Sequence, residues 1–346
     1  MFLGRLKRQR LYTSRMLVNR FALAVPVLAA FLSTARANPI SSIYAFGDSL
    51  SDAGNIKAAL GYPSAPYVNG HFTNGQVWVQ DLAASLGLAP LSASLAGGND
   101  FAVGGAQSGT SPVHAASVGD LPWQLAAFHA VNPVADPNAL YTLWIGGDDV
   151  RAILAANPSA GQAAIDVASS VVNIDTAIAT LAGYGAKNLL VVTVPDVGKT
   201  PEASATGPLG AATASALAAS FDSLLLNGSS TAGIPSLAGL ATLDSLNLKV
   251  LDSYSLIDTI VAQPAQFGFA DVTHQCLVGA VNFAGGAVCA NPNQFLFWDY
   301  IHPTAAGHAI VAADAFQVLV PEPATVTMIG FSVLALFAVR RRLHAA

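Results

Sequence analysis

The chain has 346 residues, 53% of them hydrophobic and only 10% charged, which is too long for a disulfide-stapled mini-domain and too apolar for a disordered chain. Two cysteines exclude a zinc-ribbon or iron–sulfur protein built on Cys ligands. Residues 38–320 carry five basic side chains against nineteen acids, a net charge of −14, so a nucleic-acid partner is not expected.

Seven of the fifteen Lys and Arg precede Asn38, and all twenty acids follow it. The basic stretch through Arg20 leads into the apolar run Phe21–Leu32, and Ala35-Arg36-Ala37 then forms a small-x-small cleavage site. This reads as a secretory signal peptide over residues 1–37. The alternative, an N-terminal membrane anchor, is disfavoured because the run is too short to span comfortably.

The body, residues 38–319, alternates strands with helices. Strands are expected at Ser42–Phe46, Phe101–Val103, Ala139–Ile145, Asn188–Val194 and Leu248–Leu251. Helices are expected at Gln76–Leu86, Gln162–Leu181, Ala211–Leu226 and Thr304–Leu319. The stretch Asn188–Val194 is almost wholly apolar, as when both faces of a sheet are covered. The expected fold is therefore α/β, a doubly wound, mainly parallel sheet with helices on both faces, in one domain. Ligands in such folds sit beyond the carboxyl ends of the strands.

The chain closes with Val320-Pro-Glu-Pro323, a mostly apolar run from Ala324 to Val339, and Arg340, Arg341 and Arg342. A sixteen-residue helix reaches about 24 Å, and the arginines should stay cytoplasmic with the body facing outward. This tail, residues 320–346, resembles the bacterial PEP-CTERM sorting tail. The resemblance implies export in a Gram-negative cell to the envelope or beyond. It also implies a transmembrane helix that holds the chain in the membrane before an exosortase-type enzyme removes it. In an exported chain Cys276 and Cys289, which enclose a Gly-rich segment, are expected to form one disulfide rather than two buried thiols.

Several catalytic patterns fail. Gly198-Lys199-Thr200 lacks the glycine that a phosphate loop needs five places earlier, since Thr193 is there. No dinucleotide fingerprint, His-rich zinc pattern or G-x-S-x-G elbow occurs where the fold would need it. No metal or cofactor is expected.

One constellation survives. Phe46-Gly-Asp-Ser-Leu-Ser-Asp-Ala-Gly-Asn55 follows the first strand, so Ser49 projects above the sheet. A serine hydroxyl is a weak nucleophile and needs a base. Of the histidines at 71, 114, 129, 274, 302, 308 and 344, His302 stands apart in Trp298-Asp-Tyr-Ile-His-Pro-Thr304. Asp299, three residues before it, can reach the ring on a tight turn and fix its tautomer.

Here the sequence resembles the GDSL esterase/lipases of the SGNH hydrolase superfamily, over most of residues 43–318. Its blocks are matched by Phe46–Asn55, Asp100-Phe-Ala-Val-Gly-Gly-Ala106, Gly146-Gly-Asp-Asp149 and Asp299-x-x-His302, and Phe72–Val79 is similar to the segment after the first block. The resemblance implies a flavodoxin-like three-layer sandwich and a secreted ester hydrolase. Its catalytic residues would be Ser49, Asp299 and His302, with Ser49, Gly105 and residue 148 forming the oxyanion hole. The substrate would be a lipid, short-chain acyl or polysaccharide O-acyl ester. The same triad would serve an acyltransferase, and a non-catalytic surface or matrix-binding protein is the rival from another class.

The chain departs from the family at Asp148, where the pattern has an asparagine that donates to the oxyanion. A carboxylate has no proton to give, and losing one such donor costs about 2.7–4 kcal/mol of barrier. The first reading is that Asp148 is protonated, raised by burial and by Asp149. The alternatives are another donor or a slow enzyme. Trp144, Phe297 and Trp298 lie near the motifs and are candidates for an acyl pocket or for plain core.

Overall fold

A computed structural model describes residues 40–110 and 119–320. The expected leader and sorting tail lie outside the described residues. Four strands, β1 (Ile43–Gly47), β2 (Leu140–Trp144), β3 (Asn188–Val192) and β4 (Asn247–Leu251), form one sheet in that order. All are parallel and in even register, with Gly47 opposite Trp144, Trp144 opposite Val192 and Val192 opposite Leu251.

The helices are α1 (Asn55–Leu60), α2 (Trp78–Ser85), α3 (Leu121–Val131), α4 (Gly147–Ala156), α5 (Ala160–Tyr184), α6 (Pro201–Ala205), α7 (Gly207–Asn227), α8 (Leu237–Leu243), α9 (Ser253–Ala262) and α10 (Ala305–Leu319). The strands' period-two alternation divides the core. Phe46, Tyr141, Leu143, Leu189 and Val191 pack against α3, α5 and α7. Ala45, Leu140, Trp144, Leu190 and Val192 point the other way, against α2 and α10. Side chains such as Thr304, whose Oγ1 accepts from the Gly307 N–H at 3.3 Å, start these helices where the pattern predicts.

The stretch expected as a strand at Phe101–Val103 is not a regular strand. It lies along the free edge of β1, with Phe101 N–H on Ala45 O at 2.7 Å and Val103 N–H on Gly47 O at 3.0 Å. The Asp100 carboxylate beside it accepts from the backbone N–H groups of Ala53 and Ala102. These side-chain bonds bend the segment off the ladder. Counted with the sheet, it gives the strand order 2-1-3-4-5 of a flavodoxin-like doubly wound fold, whose switch point lies at β1.

Beyond the sheet, β5 (Asp271–Gln275) pairs with β8 (Phe295–Phe297), and β6 (Leu277–Val278) with β7 (Ala287–Val288). A disulfide joins Cys276 to Cys289 around that hairpin.

Phe128 on α3 is fully buried and meets Tyr44, Phe46, Phe101 and Tyr141 edge-on. It therefore holds β1, β2 and the edge segment together. Phe128→Ala is expected to cost about 3–5 kcal/mol, read from urea unfolding midpoints at unchanged m-value.

Candidate active site

Ser49 stands two residues past β1. The turn that aims it depends on Gly47, at φ +152°, because a Cβ there would sit 2.1 Å from the Trp144 carbonyl oxygen. Gln124, buried on α3, clamps the same residue twice. Its Oε1 accepts from Gly47 N–H at 2.9 Å and its Nε2 donates to Gly47 O at 2.7 Å.

Ser49 Oγ lies 2.8 Å from His302 Nε2, and His302 Nδ1 lies 2.8 Å from Asp299 Oδ2 and 3.0 Å from Oδ1. A carboxylate only accepts, so Nδ1 carries the hydrogen and Nε2 is left to accept from the serine hydroxyl. Asp299 Oδ1 also accepts from the N–H groups of Ile301 and His302, at 2.9 and 2.8 Å. Burial acts to raise the Asp299 carboxyl, but its interaction with His302 and these backbone bonds outweigh it and hold it below its ordinary value. The structure thus brings together the three residues expected from spacing.

A partner that spacing did not indicate completes the group. Tyr67 OH donates to Asp299 Oδ2 at 2.8 Å, and burial with the nearby Asp299 charge pushes the phenol upward. Tyr67 belongs to the loop that runs into the Phe72-Thr-Asn-Gly block, and that block grips the His302 turn. Phe72 lies 4.9 Å from the imidazole, centroid to centroid. Thr73 Oγ1 donates to Pro303 O at 2.9 Å, and Asn74 Oδ1 accepts from Ala305 N–H at 2.7 Å. Phe283, on the disulfide loop, packs on both Phe72 and His302.

Gly105 follows the edge segment, on a turn where its φ is +81°. The first block holds this turn: Asp52 Oδ2 accepts from Gly104 N–H at 2.8 Å while Oδ1 accepts from Gly54 and Asn55. Burial pushes Asp52 up to about 6 against these three backbone bonds and a fourth from Ile56 N–H at 3.1 Å. Asn55 Nδ2 ties the same segment down through the carbonyls of Asp100 and Ala102.

Asp148 is the second residue of α4, whose N-cap is Gly146 at φ +116°. Asp149 is turned away from the cleft, accepting from Ser108 N–H and Oγ at 2.9 and 2.6 Å. Asp148 is paired instead with Arg151, whose Nη1 lies 2.7 Å from Oδ1. Arg151 Nε and Nη2 meet both oxygens of Glu202 at 2.8 and 2.9 Å. Burial and the Asp148 charge push the neighbouring Asp48 well above its ordinary value.

Ser49, Asp148, Arg151 and His302 line one cavity of about 70 Å³, whose remaining wall is largely apolar. Trp144 and Phe297 line it too, whereas Trp298 packs behind the triad with Tyr67 and Cys276. Among the described residues, no group of three or more His, Cys, Asp or Glu is placed to hold a metal ion.

His308 lies behind this site, fully buried on α10, where its Nδ1 accepts from Trp78 N–H at 3.3 Å. Burial, with His302 and His71 nearby, lowers its pKa from 6.5 to about 3. The unfolded chain therefore binds a proton below pH 6.5 that the folded chain refuses down to about 3. Stability supplied by neutral His308 is complete above that window and is lost as pH falls through it, at up to about 1.4 kcal/mol per pH unit. Relative to His308→Gln, the native chain is expected to lose stability between pH 6.5 and 4.5, measured by urea titration at each pH.

Residues 43–315 match the family model described as GDSL-like Lipase/Acylhydrolase, and residues 319–342 match the PEP-CTERM protein-sorting motif. The chain is 31% identical to a Pseudomonas putida protein named as the uncharacterized protein in the trpE-trpG intergenic region, over 87% of this chain and 52% of that one. It is 27% identical to the thermolabile hemolysin of Vibrio parahaemolyticus, over 80% of this chain and 63% of that one. It is 25% identical to the phosphatidylcholine-sterol acyltransferase of Aeromonas hydrophila, over 85% of this chain and 95% of that one. The chain spans less than two thirds of the length of the first two of these relatives.

Proposed function

Because the chain belongs to the GDSL-like lipase/acylhydrolase family, we propose that it is an exported serine hydrolase of carboxylic esters. The observation that carries this reading is the unbroken relay Ser49 Oγ–His302 Nε2, His302 Nδ1–Asp299, whose Ser49 and His302 line a largely apolar cavity.

In the proposed reaction Ser49 Oγ attacks the ester carbonyl carbon while His302 Nε2 takes the hydroxyl proton. The carbonyl π electrons move onto oxygen, and the N–H groups of Ser49 and Gly105 stabilise that oxyanion. Collapse expels the alcohol, which takes the proton from His302. Water then attacks the acyl-serine with His302 as base again, releasing the carboxylic acid and restoring Ser49. The wall formed by Leu256, Ile257 and Ile260 of α9, Leu296 of β8 and Val311 of α10 suits the acyl part of the ester. Transfer of the acyl group to an alcohol is the second reading, favoured by the relative named as an acyltransferase. The sorting motif supports export in a Gram-negative cell, with exosortase-type processing near Pro321-Glu322-Pro323 and membrane attachment beforehand.

The test is turnover of p-nitrophenyl esters from acetate to palmitate, with and without an added alcohol acceptor. Ser49→Ala is expected to lower turnover by at least ~10³-fold. Equal rates in the two chains would refute the reading, and unchanged binding to an envelope polysaccharide would then favour a non-catalytic binder.

Tyr67→Phe tests the relay itself. Without its phenolic donor, Asp299 keeps more negative charge to hold a proton on His302. The acid limb of the kcat/KM profile is expected to move to higher pH, with kcat lower by no more than the ~10²-fold that one hydrogen bond to a charged group supplies. A profile that only scales down would make Tyr67 a packing residue.

A further inference from the structure

The proposed oxyanion site contains an apparent contradiction. Where the family pattern has an amide donor, this chain places a carboxylate, and the field there is already acidic. Asp148, Asp196 and Glu202 line the cavity with Arg151 as the one Lys or Arg among the described residues of its lining, while Asp196 has a second cation in Lys199, 3.6 Å from its Oδ2. Asp149 lies next to Asp148 on α4, and the Tyr300 phenol feels Asp148, Arg151 and Glu202 from the turn before α10. An uncompensated anion there opposes the charge that develops on the acyl oxygen.

Arg151 is built to remove that conflict. It sits one helical turn after Asp148, the spacing at which side chains on a helix meet. Its Nη1 takes Asp148 Oδ1 at 2.7 Å, and its other face is held by Glu202 through two bonds at 2.8 and 2.9 Å. Glu202 belongs to α6, whose position is set separately by the bond from Glu202 N–H to Tyr300 O at 2.9 Å. The guanidinium is therefore fixed from two sides before any substrate arrives. A planar fork anchored in this way is pre-organised, unlike a free lysine.

We propose that Arg151 is the positioning residue that makes Asp148 tolerable in the oxyanion site: it holds the carboxylate in an ion pair and offsets the charge that would otherwise face the transition state. This rests on the hydrolase reading above. It makes the importance of Arg151 conditional, because the residue is needed for catalysis while position 148 is acidic and much less when it is an amide.

Four chains test this: the native one, Arg151→Met, Asp148→Asn and the double variant. Each is assayed on p-nitrophenyl butyrate and for the rate at which a fluorophosphonate labels Ser49. Arg151→Met is expected to lower kcat by about 10²–10³-fold with little change in KM. In the Asp148→Asn background the same change is expected to cost less than ten-fold, so the double variant outpaces Arg151→Met alone. Equal losses in the two backgrounds, or no loss in the native one, overturn the proposal, since a plain structural staple between α4 and α6 would not be rescued at residue 148. If Arg151→Met does not fold, as judged by its thermal melt, Arg151→Lys takes its place in both backgrounds. It keeps the cation without the fork, so its loss must again shrink when Asp148→Asn is present. Silence of the native chain in both assays overturns the hydrolase reading together with this one, whereas native turnover with equal losses overturns this one alone.

Discussion

Asp299 is 1% exposed, set in the chain between Trp298 and Tyr300 and hydrogen-bonded to Tyr67. Taking a carboxylate out of water to that extent costs several kcal/mol unless its lone pairs are met. Here each oxygen is met by groups that arrive from different directions: His302 Nδ1, Tyr67 OH and the backbone of residues 301 and 302. Satisfying this one charge fixes the tautomer of His302, the shape of the turn that carries it, and the path of the loop that carries Tyr67. The loop in turn sets Phe72, Thr73 and Asn74 against the same turn. The relay to Ser49 is one consequence of a buried anion finding its partners.

The same device recurs along the carboxyl edge of the sheet. Asp52 gathers the N–H groups of Gly54, Asn55, Ile56 and Gly104, and Asp100 gathers those of Ala53 and Ala102. Asp149 takes Ser108. Each acid pins a loop by meeting backbone donors that no strand or helix supplies, which is how an irregular segment can be buried at all. The acids of this chain are thus partly spent as staples around the switch point, and the strongly negative composition follows in part from that use.

How much of this was legible in the sequence depends on whether a feature repeats locally. The apolar period of residues 188–192 and the long Ala-rich runs of α7 and α10 revealed those elements to within a few residues. Ser49 and the pair Asp299–His302 were readable because a parallel sheet delivers the first strand and the last helix to one edge. Tyr67 was not, since it meets Asp299 across 232 positions with no spacing to mark it. Gln124 is equally silent, a polar residue on an apolar helix whose partner is a backbone turn 77 positions away. At Asp148 the charge was legible but its partner was not. Arg151 lies only three residues on, yet it is the anchor at Glu202, 51 positions further, that gives the pairing its direction.

Compartment and chemistry meet in the loop between Cys276 and Cys289. That loop carries Phe283, at φ +56°, onto Phe72, Tyr67 and His302. Its other ties to the Tyr67 loop are two backbone bonds, Ser64 N–H to Phe283 O and Gly285 N–H to Ala65 O, both at 2.9 Å. It contains no charged residue and presents Val278, Val281 and Val288 to solvent, and it is closed by the β6–β7 pair, the bond from Cys289 N–H to Cys276 O at 2.9 Å and the disulfide. Disulfides persist outside the cytoplasm and are reduced within it. In a reducing compartment Phe283 would be held by those two bonds, the β6–β7 pair and its ring contacts, and the aromatic wall over His302 would lose its covalent closure. A sorting motif that sends the chain out of the cytoplasm therefore also sends it to where this wall is covalently closed. The address at one end of the sequence and the packing around the imidazole belong to the same physical argument.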